Sequence, residues 1–357
     1  MYGDDIPRDE IAESYPSAYP VLVAYGHVLR ELLDMLCRDE VLKVHAVEAR
    51  AKDPSSLMDK FRRHPGYERL SDADDVCGVR IVTFYLADVA RVRDLLHREF
   101  KILKEETRQA VSPDAFGYQS LHVIACLDDR RSSLPEYASY AEYRVEFQVR
   151  TVLQHAWGVI SHSLDYKNEA ETPPEIRRKL FRVAALLETG DELFASYRTE
   201  IQDLRARYRS QVVADDWAGL PVDLDSVLAS MERLPLKEIA VAAKEAGFQP
   251  PEYPMDDEAP VVRSAVGRLV AVAGAVGIKT LGDLAAHMSA VPAHREQLAV
   301  LARVSKQHGF TPLADPFDIT VFAMLLEHPE LRVKLAITFT RPIETGLDEV
   351  LRTRNAV

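Results

Sequence analysis

The chain has 357 residues, long for one domain, so two are expected. Apolar residues make up 47% and charged residues of both signs 28%, which supports real cores and excludes a broadly disordered chain. A net charge of -12, with both halves acidic, excludes a general nucleic-acid binder but leaves room for a local basic cleft.

Residues 18–49 place Tyr19, Val23, Val28, Leu32 and Leu36 at helical spacing and run on into a charged stretch, which predicts one or two helices. Asp53 followed by Pro54 is a helix-start signal, so residues 55–63 are expected to be helical. VCGVRIVTFYL (76–86) is β-branched and apolar, a central strand, and 87–100 follows with helical periodicity. FGYQSLHVIACL (116–127) predicts a second strand, and DDRRSSLPEYASYAE (128–142) a polar, mobile loop. YRVEFQVRT (143–151) alternates strictly. Arg144, Glu146, Gln148 and Arg150 share one face, and Val145, Phe147 and Val149 share the other.

Residues 151–167 are then helical, and 172–208 form long helices opened by a proline pair. Turn residues at 211–226 predict a linker between a domain at 1–210 and a helical C-terminal domain at 227–357. That last region contains an echo, KEAGFQP (244–250) and KQHGFTP (306–312), with GAVGIKT (274–280) as a looser third copy. It reads as either a helical repeat or ordinary glycine-capped helix ends. The three cysteines, Cys37, Cys77 and Cys126, form no CxxC pair, which argues against a disulfide framework or cysteine zinc site and fits a reducing cytoplasm. The acidic start is unlike a signal peptide, and the longest apolar run (269–278) is far too short for a membrane span. A cytoplasmic protein with no membrane partner is expected.

Several features point to a polar cleft. The Arg-Glu-Gln-Arg face of 143–151 would suit a solvated sheet, but a helix carrying His155, Trp157 and His162 follows it at once. Asp75 stands directly before a buried-looking strand, and a carboxylate there with a second from another strand, Glu146, is a way to hold magnesium. Arg50, Lys52 and Lys60 lie around a helix start bearing Ser55 and Ser56, which suits a polyphosphate as well as a basic surface. In PDAFGYQSLHVIA (113–125), strand alternation turns Tyr118, Ser120 and His122 to one side, and Leu121 and Val123 to the core. Gly117 lets the backbone approach a ligand closely.

RAKDPSSLMDK, DDVCGVRIV, GYQSLH and VEFQVRTVLQHAWGVISHSLDYK, taken in this order, resemble the RelA/SpoT-type nucleotide pyrophosphokinases over residues 40–205. The resemblance implies an α+β fold, a nucleotidyltransferase-like mixed sheet flanked by helices, followed here by the mostly helical C-terminal region. It also implies transfer of the β,γ-pyrophosphate of ATP to the 3′-hydroxyl of a purine nucleotide such as GDP or GTP, with Mg2+, to make (p)ppGpp-like alarmones. In those terms Arg50, Lys52, Ser56, Lys60 and Arg80 match the ATP-binding residues. Asp75 matches the magnesium ligand, and Glu146 the second carboxylate, a metal ligand or the base. Tyr118 matches the ring on which the acceptor base stacks and His122 lies next to the acceptor phosphates, with Gln148 and Arg150 lining the same cleft.

One departure stands out. Where those synthetases carry a lysine for the acceptor's 5′-phosphates, this chain has Asp114, and Phe116 replaces a polar residue. An anion there repels a diphosphate. Three explanations remain open: cations such as Arg130 or Arg131 compensate, the change is neutral, or the acceptor is the 3′-terminal adenosine of tRNA, as in a toxic branch of the family. A nucleotide-binding regulator without activity is a further alternative. His45, His64 and His97 lack the acidic partners of a His-Asp hydrolase site, so no alarmone hydrolysis is expected. His155 and His162, seven apart, suit packing or cleft roles better than zinc. Residues 211–357 resemble nothing specific, so an effector, an antitoxin or oligomerisation are the partners considered for them.

Overall fold

The computed structural model of the chain describes residues 6–108, 120–163, 173–253, 255, 257 and 259–354. Contacts divide the chain into two compact units, Met1–Thr199 and Glu200–Val357. In chain order the first unit contains α1 (Ile11–Asp39), β1 (Val44–Ala51), α2 (Pro54–Arg63), β2 (Cys77–Thr83), α3 (Leu86–Glu99), β3 (Phe100–Arg108), β4 (Ser120–Leu127), the short α4 (Asp129–Ser132), β5 (Val145–Thr151), α5 (Val152–Ser163) and the start of α6 (Pro174–Val213).

The five strands form one sheet in the order β1-β2-β5-β4-β3. Only β2 and β5 run parallel, so the sheet is mixed. One face is the core. Val79, Ile81, Val123, Val145, Phe147 and Val149 are buried there against Leu22, Leu29 and Leu33 of α1 and Val92, Leu95 and Leu96 of α3. The alternation read from 143–151 is thus observed: the apolar set faces inward, and the polar set lies on the other face.

Two strands correct the sequence reading. Residues 44–51 form β1 rather than the end of a helix. A β-bulge between Val44 and Ala46 turns Val44 and Val47 the same way, and that three-residue spacing imitates a helix. β3 is an edge strand that adds only Phe100 and Ile102 to the core and is charged beyond them, so it carries little apolar pattern. Residues 128–142 hold helical turns rather than a bare loop, with Tyr140 stacked on Tyr25 and Tyr143 buried.

The second unit is helical: the rest of α6, then α7 (Leu224–Ala229), α8 (Leu236–Glu245), α9 (Pro260–Val276), α10 (Leu281–Ala290), α11 (Arg295–Gln307), α12 (Pro316–Glu327), α13 (Glu330–Lys334) and α14 (Arg341–Arg354). α12 is buried from Pro316 to Leu326 except at Asp318, so it is apolar nearly all round and forms the centre. The three echoed glycines end α8, α11 and α9. Gly247, Gly309 and Gly277 take φ of 98°, 77° and 89°, the left-handed conformation that closes a helix. The stretch read as a linker is docked on this unit. α6 continues to Val213, Leu220 is buried, and Leu220 O accepts from Leu281 N at 2.9 Å.

Candidate functional site

Ladder register builds a polar surface on the sheet face opposite the core. Glu48 of β1 pairs with Arg80 of β2, Arg80 with Gln148 of β5, and Gln148 with His122 of β4. Paired residues project to the same side of a sheet, so these four side chains form one row. The next row is Arg50, Gly78, Glu146 and Ile124. Gly78 has no side chain, which leaves open space between Arg50 and Glu146.

Within this surface a hydrogen-bonded chain runs across two strands. Ser120 Oγ lies 2.8 Å from His122 Nε2, and His122 Nδ1 lies 2.8 Å from Glu146 Oε1. Gln148 Nε2 donates to Glu146 Oε2 at 2.8 Å, and Arg150 Nη2 donates to Gln148 Oε1 at 3.2 Å. His122 is 2% exposed and Glu146 3%, so these groups are out of water. With Glu146 ionised, Nδ1 of His122 must carry the proton it donates, and in the neutral ring Nε2 then accepts from Ser120. Burying a carboxylate is tolerated only with such donors on its oxygens. His122 and Gln148 thus place one donor on each of its two oxygens.

A second cluster sits at the leading end of β2. Asp75 Oδ2 receives Lys52 Nζ at 2.7 Å, and Oδ1 receives Lys60 Nζ at 2.8 Å. Burial pushes the Asp75 carboxyl up, but the hydrogen bonds and charges of Lys52 and Lys60 outweigh it and hold the group below the ordinary carboxylate range. Lys52 is fixed through its backbone: its N–H donates to Val76 O at 2.9 Å, and its carbonyl accepts from the buried Tyr15 hydroxyl at 2.7 Å. Lys60 comes from α2, whose buried Leu57 and Phe61 tie it to the core. Asp53 caps that helix, accepting from the N–H groups of Ser55 at 2.9 Å and Ser56 at 3.3 Å. The serines of the first turn therefore already face a protein anion.

α5 covers the polar face near Arg80 and Arg150. A Cβ on its Gly158 would stand 2.8 Å from Arg150 Nη1, so this turn of α5 lies close over the guanidinium. Burial, and then the charge of Arg80, pull the His155 imidazole below its ordinary value. Nδ1 of His155 and Nε of Arg80 are buried polar atoms without a hydrogen-bond partner among the described residues. Arg80 also reaches Glu48 Oε2 through Nη1 at 3.3 Å.

The structure thus gathers Arg50, Arg80, His122, Glu146, Gln148 and Arg150 on one sheet face. It sets Lys52, Lys60 and Asp75 at the leading end of β2, with Ser56 on the adjoining helix start. Asp75 lies in the turn just before β2 and Glu146 on the neighbouring β5, whose ladder partner on β2 is Gly78, three residues past Asp75. Each carboxylate has its own partners. Tyr118, with Asp114, Phe116 and Gly117, lies outside the described residues. The sequence reading missed Glu48, because its strand was taken for a helix. It named the lysines and Asp75 separately without foreseeing that they pair with each other.

Two carboxylates are the oxygen-donor set magnesium accepts, because that ion keeps several waters and phosphate oxygens of its own. No group of three or more protein ligands able to hold a metal exists among the described residues. No helix there is long and apolar enough to cross a membrane.

Comparison with known proteins adds four findings. The family model described as "Region found in RelA / SpoT proteins" matches residues 49–171. The chain is similar to GTP pyrophosphokinase YjbM of Bacillus subtilis (strain 168), 26% identical over 174 residues, which are 48% of this chain and 79% of that protein. It is also similar to GTP pyrophosphokinase YwaC of the same organism, 24% identical over 164 residues, 44% of this chain and 75% of that protein. Among solved structures, small alarmone synthetase 1 from Bacillus subtilis aligns with a TM-score of 0.45 at 22% identity, covering 54% of this chain and all of that one.

Proposed function

On the premise that the N-terminal unit is of the RelA/SpoT type, we propose that the chain transfers the β,γ-pyrophosphate of ATP to the 3′-hydroxyl of a purine nucleotide, making (p)ppGpp-like alarmones. The observation that carries this reading is the buried Glu146, held between His122 and Gln148 in the face that Arg50 and Arg80 share. Such a carboxylate, set beside cations and facing an open row, is suited to take a proton from a weak nucleophile.

In this reading Arg50, Lys52, Ser56, Lys60 and Arg80 bind ATP. Asp75 would hold Mg2+, with Glu146 the second carboxylate, a metal ligand or the base; the ion would supply neutralisation and orientation of the triphosphate oxygens. Lys52 and Lys60, which flank Asp75, would set their ammonium groups toward the phosphate oxygens. The acceptor nucleotide lies against Tyr118, His122, Gln148 and Arg150. Its 3′-oxygen attacks the β-phosphorus, the bond from that phosphorus to the α,β-bridging oxygen breaks, AMP leaves, and the hydroxyl proton passes to Glu146. Catalysis is then mainly positioning and charge. His122 keeps Glu146 aimed, because Ser120 fixes the far side of the imidazole.

Asp114 favours a second acceptor, the 3′-terminal adenosine of tRNA, which presents no terminal diphosphate for that anion to repel. One experiment separates the readings: the purified chain with magnesium, γ-labelled ATP, and GDP, GTP, an adenine nucleotide or total tRNA. Label in a small nucleotide supports alarmone synthesis, and label in tRNA supports the second reading. No transfer by a folded protein removes both and leaves a nucleotide-binding regulator.

A further inference from the structure

The polar sheet face has two parts. At the leading end of β2, Lys52 and Lys60 meet at Asp75, and Arg50 stands level with Gly78. Arg80 lies two residues farther along β2, level with Glu48, a step of about 7 Å along a strand. α5 lays His155 against this farther part. The charged groups that act on His155 are Arg80 of β2, Glu48 and His45 of β1, and Arg150 of β5. Two buried polar atoms on these facing elements have no hydrogen-bond partner among the described residues, Nδ1 of His155 and Nε of Arg80. Folded proteins pair nearly all such atoms, because leaving one unpaired out of water is costly. Two together mark a place for the polar edge of a ligand.

The chemistry of the two atoms says what that edge carries. Nε of Arg80 can only donate. Burial, and then the charge of Arg80, keep the His155 imidazole neutral. A neutral ring beside a cation turns its lone pair toward the positive charge and its N–H away, so Nδ1 accepts. The pair therefore takes an acceptor and a donor side by side. A phosphate oxygen supplies acceptors only. Adenine supplies both, a ring nitrogen next to its 6-amino group. A 6-oxopurine sets an oxygen in place of that amino group, and Nδ1 then faces a second acceptor. This step rests on the reading that ATP is the donor: with its phosphates at the Lys52 and Lys60 end, its base falls on the row of Arg80. We propose that His155 and Arg80 together recognise the adenine edge of ATP. His155 Nδ1 accepts from the 6-amino group, Arg80 Nε donates to the adjacent ring nitrogen, and His155 thereby selects adenine over a 6-oxopurine in the donor nucleotide.

Calorimetric titration of the full chain with ATP and with ITP, magnesium present and no acceptor added, tests this. The wild type should bind ATP at least about tenfold more tightly than ITP. His155→Leu should lose that preference by weakening ATP and not ITP. His155→Asn, whose amide oxygen can take the place of Nδ1, should recover most of it, with circular dichroism the same in all three. A role in packing alone would move both nucleotides equally. His155→Phe keeps a ring without an acceptor and serves in place of the leucine variant should that fail to fold. A folded leucine or phenylalanine variant that keeps the preference overturns the proposal. So does a wild type that binds the two nucleotides equally, or binds neither. Binding without acceptor is separate from transfer. A chain that transfers from ATP but shows no preference dependent on His155 loses this inference alone, and one that binds as expected but transfers to no acceptor loses the proposed activity alone.

Discussion

The two units use polar side chains for different ends. In the C-terminal unit several of them sit at helix starts. Asp223 accepts from Ser226 N at 2.8 Å, Asp315 from Asp318 N at 2.9 Å, and Thr280 from Asp283 N at 3.2 Å. Each satisfies a backbone donor that a helix end leaves open. In the N-terminal unit Glu146, His122 and Gln148 satisfy no helix end; they bond one another across a sheet face. Groups buried at that cost without a backbone to serve are the ones to suspect of chemistry. The contrast separates a unit built around its packing from a unit built around a pocket.

If the contrast holds, removing a group from the sheet face should cost activity and leave the fold. Asp75→Asn is expected to lower pyrophosphate transfer by more than the roughly 10–100-fold typical of losing an outer partner of a metal site. Circular dichroism should be unchanged, and a steady-state transfer assay with varied magnesium checks the effect. In the helical unit the sign of the contrast reverses. Phe317→Ala, at a fully buried position of α12, should cost about 3–5 kcal/mol of that unit's stability in urea unfolding.

Asp223→Ala sharpens the comparison further. It removes a helix cap and should cost about 1 kcal/mol, read in the same urea titration, with transfer unaffected. The smallest effect concerns Tyr208. Burial, and then its hydrogen bond to Asp223, raise its phenol to about 12. An ordinary tyrosine titrates near about 10. The stabilisation is therefore complete below that value and lost as pH rises through about 12. Alkaline unfolding curves of the wild type and Tyr208→Phe should differ in that window and converge in slope below it.

How much of this was legible depended on what each strand exposes. β5 was read residue by residue, because its alternation is unbroken and its inward residues are all large and apolar. β1 was taken for helix because one bulge disturbed its period, and β3 was passed over because an edge strand with a charged far half offers no stripe. The same error hid Glu48 from the site, although its near neighbour Arg50 is legible among the cations around the helix start. Lys52, Lys60 and Asp75 were found individually. Their pairing depends on β1 and β2 meeting antiparallel, and that is a tertiary fact. In the C-terminal unit the glycine ends were visible, since φ above zero restricts residue choice, while the docking of Leu220 was not.

The most direct test is a single-turnover reaction with magnesium, γ-labelled ATP and GDP, comparing the wild type with Glu146→Gln. The wild type should produce AMP and a guanine nucleotide bearing the label in a 3′-pyrophosphate. The variant should bind ATP with similar affinity but transfer about 10²–10⁴-fold more slowly, the usual contribution of a positioned base. Equal transfer by the two proteins would contradict the account, as would a wild type that only releases labelled inorganic phosphate.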